Sequence, residues 1–554
     1  MSRSARVLVA MVVCAVLTLA GCSGGGGPSR HVEINDINPK PRQTLRDGGD
    51  LRWPIDSLPD NYNYNQLDGA SGPTRDVVGA LLPFLFTDTV NGGMALNRNY
   101  LTSAELTSSN PEVITYTINP RAAWSNGTPI TWRDFEAQWK ALNGANPAFA
   151  AASGTGYEDI GSVAKGSDDR QAVVTFNRTF AEWKGLFSPL YPVSTNADPV
   201  AFNTGLAGKL PVTAGPFVLD KIDRAAKTVT LRRSDRWWGD RAKLDRIIFR
   251  VCERAALADG LANNEIDFYK IGSNVDLLRR AQSTPGVAIR QSPDRTYNQI
   301  TFNGAPGTIL SDLRLRQAIA KGIDRTAIAQ WMIGQIVPNA SQHGNHIYAY
   351  GSTDYRDNSD ALPFDRAAAN RELDELGWLR SGPGGARAKG RQPLRLRLAQ
   401  FAPNPVGEQI DKAIQDQLDQ LGVTVVIEPV PIAESQKRLR SGNFDVVGFA
   451  WENTATPFSS GRGIYAEPKG NDVRQNYGRI SSREIDALFD QGIRELDDTK
   501  RAEIGNQVDK LIWEEVHHLP LYPSTGAYAV RSTLANFGAP GFADVDYVNT
   551  GYLK

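Results

Sequence analysis

What most constrains the fold of this chain is how few thiols its first 22 residues leave behind. Arg3 and Arg6 precede an apolar run from Val7 to Leu19, which has the charge order and length of a secretion signal and is too short for a good membrane span. Leu19-Ala20-Gly21-Cys22 then matches the bacterial lipobox, so residues 1–21 are expected to be removed and Cys22 to become the acylated first residue. A diacylglyceryl cysteine carries more than one acyl chain, enough for stable anchoring where a single chain binds only marginally. The chain is thus expected to be exported and lipid-anchored to the outer face of the cytoplasmic membrane. Of three cysteines, Cys14 leaves with the signal and Cys22 is acylated, so Cys252 alone remains and no intramolecular disulfide can form. Apolar burial must hold the roughly 530 remaining residues, too many for one simple core, and at least two lobes are expected.

Residues 22–46 begin Ser23-Gly-Gly-Gly-Gly-Pro-Ser and stay polar, a composition that buries too little apolar surface to order itself and predicts a flexible tether. Lysine plus arginine and aspartate plus glutamate both number 61. That balance argues against a nucleic-acid partner or a polybasic membrane surface and leaves a small or medium ligand.

Periodicity fills in the body. Leu315, Ala318, Ile319, Gly322 and Ile323 mark one buried helix face, with Ser311 and Asp312 available as caps. Asp324 opens a second helix in which Ile328, Trp331 and Met332 share a face and Gly334 ends the run in the left-handed conformation. Ile114, Tyr116 and Ile118 alternate as a strand, Asn126-Gly127 turns the chain, and Thr131 caps the helix carrying Phe135 and Trp139. Leu394, Leu396 and Leu398 alternate with Arg395 and Arg397, a half-buried strand with a solvated basic face. A helix from Gln409 to Leu421 followed by a strand from Val423 to Ile427 gives the order of an α/β lobe.

The run Phe302-Asn-Gly followed by Asp312-Leu-Arg-Leu-Arg-Gln-Ala-Ile-Ala-Lys-Gly-Ile-Asp-Arg325 resembles a signature of the family 5 solute-binding lipoproteins that feed ABC importers. Arg121-Ala-Ala-Trp-Ser-Asn-Gly, Thr213-Ala-Gly-Pro-Phe, the Trp237-Trp238-Gly239 end of residues 232–239, Leu261 to Phe268 and the Asp365 to Trp378 helix are similar to family stretches too. The resemblance spans nearly all of the mature chain and is nearest the oligopeptide-binding branch. It implies an α/β fold like the large periplasmic binding proteins, with two α/β lobes joined by a hinge and an extra small lobe. Residues 47–85, 212–302 and 519–554 would form lobe I, 86–211 the small lobe II, and 303–518 lobe III. The implied function is capture of short peptides by hinge closure and delivery to permease subunits, by a monomer needing no cofactor.

Implied binding residues are Tyr64 and Asn65 in an aromatic and amide-rich segment, Tyr297 and Asn303 beside the crossover between lobes, and Trp451 and Glu452 at the end of an apolar strand. Peptide-binding relatives often read W-x-x-D-Y-x-D-P there, with the aspartate holding the ligand ammonium. This chain departs from that pattern, since Glu452 is its only acid, with Asp445 a weaker candidate ahead of the strand. His343 and His346 in a loop, and the adjacent His517 and His518, have no nearby cysteine or acid cluster in the sequence, so no metal site is assigned. With no G-x-S-x-G, Walker loop or H-E-x-x-H, an enzyme is not expected. Two rivals are a receptor of the same fold for haem, a metal chelate or a sugar, and a surface chaperone, adhesin or signalling lipoprotein.

Overall fold

Strands and helices alternate along the chain and sort into separate sheets, as the periodicity predicts. The computed structural model describes residues 35–554 apart from Lys469, Asn471 and Asp472, so the signal, the lipobox and Cys22 lie outside the described residues. The strands Asp50–Ile55, Arg246–Val251, Thr228–Arg233 and Phe217–Asp223 form one four-stranded sheet in that order, its first pair parallel. A second, fully antiparallel, orders Leu101–Ser109, Glu112–Ile118, Gln171–Phe176 and Ile160–Lys165. Within it Ile114, Tyr116 and Ile118 are buried, and Trp183 and Phe187 pack on Tyr116 at ring separations of 6.1 and 5.8 Å.

The largest sheet has the order Thr424–Pro431, Arg395–Ala402, Val446–Glu452, Thr296–Phe302, His518–Pro523. Its first three strands run parallel, and Thr296–Phe302 lies antiparallel to both of its neighbours. Leu394, Leu396 and Leu398 are buried beneath it with Ile410, Ile414 and Leu418 of the helix Pro405–Gln420, the α-on-β layer expected from the sequence. Leu313–Lys321 and Arg325–Ile333 are the two predicted helices, capped by the carboxylates of Asp312 and Asp324.

Three expectations need correction. Trp331 does not share the buried face with Ile328 and Met332 but is 55% exposed, because three residues from Ile328 carries it past the edge of that face. Gly334 is right-handed (φ −62°), and the chain continues winding, with Val337 N–H donating to the Ile333 carbonyl. Residues 35–46, read as tether, are folded. Asp36 bridges Ala539, Leu45 is buried and bridges Leu553, and Arg42 donates to the Val548 carbonyl and Asn549 Oδ1. Their polar side chains make specific hydrogen bonds to the carboxy-terminal tail, which composition alone does not register.

A buried carboxylate joins the small antiparallel sheet's region to the helices beyond the large sheet. Glu182, 6% exposed, accepts from the N–H groups of Phe458 and Ser459 at 2.8 Å each and from the Ser459 hydroxyl, capping the helix Pro457–Tyr465. Ala181 N–H donates to the Ile493 carbonyl alongside. Charged caps of this kind satisfy N–H groups that a helix start leaves free. Glu182→Ala is expected to cost about 2–4 kcal/mol by orphaning buried donors, and Glu182→Gln about half as much, read from chemical unfolding midpoints. A loss within experimental error for both variants would show that the contact contributes nothing to the fold.

Candidate functional site

The end of the strand Val446–Glu452 opens onto a cavity of about 1230 Å³. Side chains alternate along a strand, so residues 451 and 452 face opposite sides. Glu452 and its register partner Thr296 line the cavity, whereas Trp451 and its partner Tyr297 do not. Trp451 stacks on Tyr477 at 6.0 Å instead. Tyr297 is fully buried against His343 and donates to or accepts from His518 Nε2 at 3.1 Å. Asn303 is buried with its amide given to the Gly442 and Phe444 carbonyls. Asn65 binds the Pro189 carbonyl, outside the cavity. Of the six residues expected to touch ligand, Tyr64 and Glu452 line the cavity.

Local structure explains the rest of the wall. Ser71 caps the helix Gly72–Gly79, with Pro73 in its first turn, and this helix presents Arg75 and Asp76. The short strand Phe268–Lys270 ends on Lys270, and Asp294 and Arg295 precede the strand Thr296–Phe302. Residues 540–549 run without strand or helix along one side, and Trp237 and Trp238 contribute aromatic surface, packed on Tyr100.

Most charges here are paired within the wall. Arg75 meets Asp544 at 2.9 Å, Arg295 meets Asp88 at 2.9 Å, and Lys270 meets Asp294 at 2.6 Å. Burial would raise the Asp294 carboxyl, but the charge and hydrogen bond of Lys270 outweigh it and hold the group below its ordinary value. Burial dominates at Asp88, pushed up to about 6 despite Arg295. Among the described residues three lining acids have no ion pair or side-chain hydrogen bond, Asp240 at the exposed rim and the more enclosed Asp76 and Glu452. Burial, helped by Asp56 and Glu452, lifts Asp76 to about 7 against the pull of Arg75. Burial also raises Glu452, with Asp294 adding to it and Lys270, Arg295 and Arg75 opposing. Glu452 is exposed to the cavity yet enclosed by these groups, which reconciles its accessibility with its shift.

Sequence reasoning missed Asp76, Lys270, Asp294 and the 540–549 segment as lining. A capped helix start with Arg75-Asp76 in its first turns was a usable local signal. The tail segment carries no periodicity, and only tertiary placement brings it to the cavity.

The histidines serve another purpose. His343, His346, His517 and His518 are all buried in one cluster. His346 Nδ1 lies 2.7 Å from Asp509 Oδ1 and its Nε2 3.1 Å from the His518 carbonyl, so both nitrogens are engaged. Among the described residues no group of three or more His, Cys, Asp or Glu side chains could hold a metal.

The model of the bacterial extracellular solute-binding proteins, family 5, matches residues 97–471. The oligopeptide-binding protein OppA of Mycobacterium tuberculosis is 42% identical over 99% of this chain and 93% of its own length. Among solved structures, the periplasmic EDTA-binding protein EppA superposes with a TM-score of 0.85 at 23% identity, over 96% of this chain and 100% of that one. The oligopeptide-binding protein AppA of Bacillus subtilis, solved with a nonapeptide, gives 0.74 at 18% identity, over 92% and 100%. At such identities the two structures establish the large binding-protein fold.

Proposed function

The chain belongs to family 5 of the bacterial extracellular solute-binding proteins, and from that premise we propose that it captures oligopeptides and hands them to an ABC permease. The observation that carries this reading is the cavity itself. At about 1230 Å³ it exceeds the 300–1,000 Å³ usual for compact small-molecule sites and suits an extended ligand. Its wall combines aromatic faces, three internal ion pairs and open polar groups, so side chains of many kinds can be accommodated with water between them. The 42% identity to an oligopeptide-binding protein along nearly the whole chain supports the same ligand class.

Closure is proposed to turn on the strands Thr296–Phe302 and His518–Pro523, neighbours in the large sheet at the expected boundaries of residues 303–518. Lobe I would comprise 47–85, 212–302 and 519–554, now with 35–46 added, and lobe II 86–211. In this reading the Glu182 cap joins lobe II to lobe III in the closed form. Cys22 would carry the lipid that keeps a monomeric receptor beside its permease, and the protein would bind without transforming its ligand.

The test is native mass spectrometry of protein beginning after Cys22, with gentle unfolding to release what co-purified. Short peptides of mixed sequence are expected. A chelate, haem or sugar in their place would overturn the ligand class and leave the fold untouched.

A further inference from the structure

The seam between residues 86–211 and residues 303–518 is held by a charge with no partner on its own side. Glu182 is buried, and its carboxylate accepts from the Phe458 N–H, the Ser459 N–H and the Ser459 hydroxyl, all beyond the seam. Among the described residues that carboxylate makes no hydrogen bond within 86–211. Burial raises the carboxyl above its ordinary value, against the pull of these bonds and of Arg501, again from beyond the seam. Ala181 N–H donates to the Ile493 carbonyl alongside at 2.8 Å, and elsewhere on the seam Thr353 N–H donates to the Asn91 carbonyl at 3.3 Å.

The helix that Glu182 caps is the direct continuation of the cavity wall. Glu452, Asn453 and Thr454 line the cavity, and the helix Pro457–Tyr465 starts three residues on. Thr454 Oγ1 lies 2.9 Å from Ser460 Oγ and accepts from the Thr456 N–H at 3.2 Å, which ties wall and helix start into one piece. Asn453 Nδ2 fixes that piece to the Ile347 carbonyl at 3.1 Å. Glu182, Phe458 and Ser459 themselves stand outside the cavity.

Resting on the reading of these two segments as lobes that close over a ligand, we infer that Glu182 is a latch, whose capture of the helix start holds the closed form shut and sets how long the ligand stays. It touches no ligand and acts through the helix, as a positioning residue. A carboxylate suits the task. On opening it returns to water together with the N–H groups it releases, whereas an apolar plug would be left exposed. The desolvation cost of closing offsets much of what the charged hydrogen bonds return, which keeps the contact reversible. Because these bonds form only as the lobes meet, they slow the ligand's departure and leave its arrival unaffected.

Gly185 supplies an independent handle. A Cβ built there meets Thr456 Cγ2 at 2.8 Å across the seam and nothing of its own lobe beyond its own turn. Its φ is not positive, so a side chain at this position wedges the seam without straining the backbone that carries it. The experiment measures association and dissociation of a fluorescent pool of random pentapeptides by stopped flow. It uses protein starting after Cys22, under conditions where circular dichroism shows every variant folded. Glu182→Ala and Gly185→Leu should each release peptide roughly tenfold faster, with association within about twofold of the wild type. Glu182→Gln, which keeps one acceptor, should fall between. Unchanged dissociation in Glu182→Ala and Gly185→Leu, even with lower unfolding midpoints, would make the seam a structural contact and overturn the latch while the peptide reading stands. Should the wild type bind no peptide, the peptide reading falls, and the latch is judged by small-angle X-ray scattering of the ligand-free proteins. A larger radius of gyration in both variants than in the wild type would sustain it, and superimposable curves would sink it.

Discussion

Replacing Asp509 by alanine is expected to cost about 3–5 kcal/mol of folding free energy, since it orphans three buried donors at about 1–3 kcal/mol each with some relaxation between them. Its side chain is wholly buried on the helix Asp498–Glu515. Oδ1 accepts from both the backbone N–H and the ring of His346 at 2.7 Å, and Oδ2 accepts from Asn358 at 2.7 Å. Alanine would leave these donors facing apolar surroundings, each at a desolvation cost. Asp509→Asn, which keeps one carbonyl acceptor, should recover part of the loss. Denaturant unfolding measures both, and a loss under about 1 kcal/mol for the alanine variant would mean that the surrounding packing, rather than this carboxylate, holds the cluster.

The second large effect is a pH slope. His343 is fully buried and stacked on Tyr297 at 4.4 Å, and its ring nitrogens make no well-formed hydrogen bond, the Asn345 backbone alone pulling weakly in favour of a proton. Burial, with the charges of His346 and Arg325 adding to it, lowers its pKa to about 3 from 6.5. Between those values the unfolded chain binds a proton that the folded protein refuses, so this residue's contribution to stability falls as pH falls from about 6.5 to about 3. His343→Phe removes the titration. Its stability relative to the wild type should rise by about 1.4 kcal/mol for each pH unit below 6.5, and level off near pH 3. Any fixed cost of fitting the larger ring shifts this line without changing its slope. The comparison is needed because Asp76, Glu112 and Asp411, each lifted to about 7 by burial, act in the opposite sense. They keep protons in the folded state that the unfolded chain gives up, which offsets the histidines in the wild type's own profile. A difference that stays flat from pH 7 to pH 4 would show that the folded protein admits a proton at His343 after all.

Legibility in the sequence followed the range of the interactions. Caps and periodic faces are local, and Asp312, Asp324, Thr131 and the Ile114 to Ile118 alternation behave as their spacing predicts. The family motifs placed the fold. The cavity was legible at Glu452 because a strand end is a local feature and at Tyr64 because an aromatic segment stood out. It was not legible at Tyr297 or Trp451, where the face of the sheet decides, and period-two alternation permits one of two adjacent residues to reach the cavity side. Asn303 does not line the cavity, since an amide beside a crossover serves equally well to tie two backbone carbonyls. Lys270 and Asp294 lie more than 240 positions from the tail residues 540–549, and no single-chain pattern links the two.

The clip between residues 36–45 and residues 534–553 also sets a load path. Asp36, Asn38, Lys40 and Arg42 bind Ala539, Leu534, Asn536 and Asn549, so both ends of the described chain are buttoned together. Tension applied to the polypeptide ahead of Asn35 would enter the body there, pulling many hydrogen bonds at once in shear, and the strands proposed to flex would feel little of it. The next stretch to carry strain would be residues 540–549, which form one side of the cavity. With the proposed lipid anchor ahead of Asn35, drag on the molecule would register as a distortion of the cavity wall, while the proposed hinge would be mechanically isolated from it.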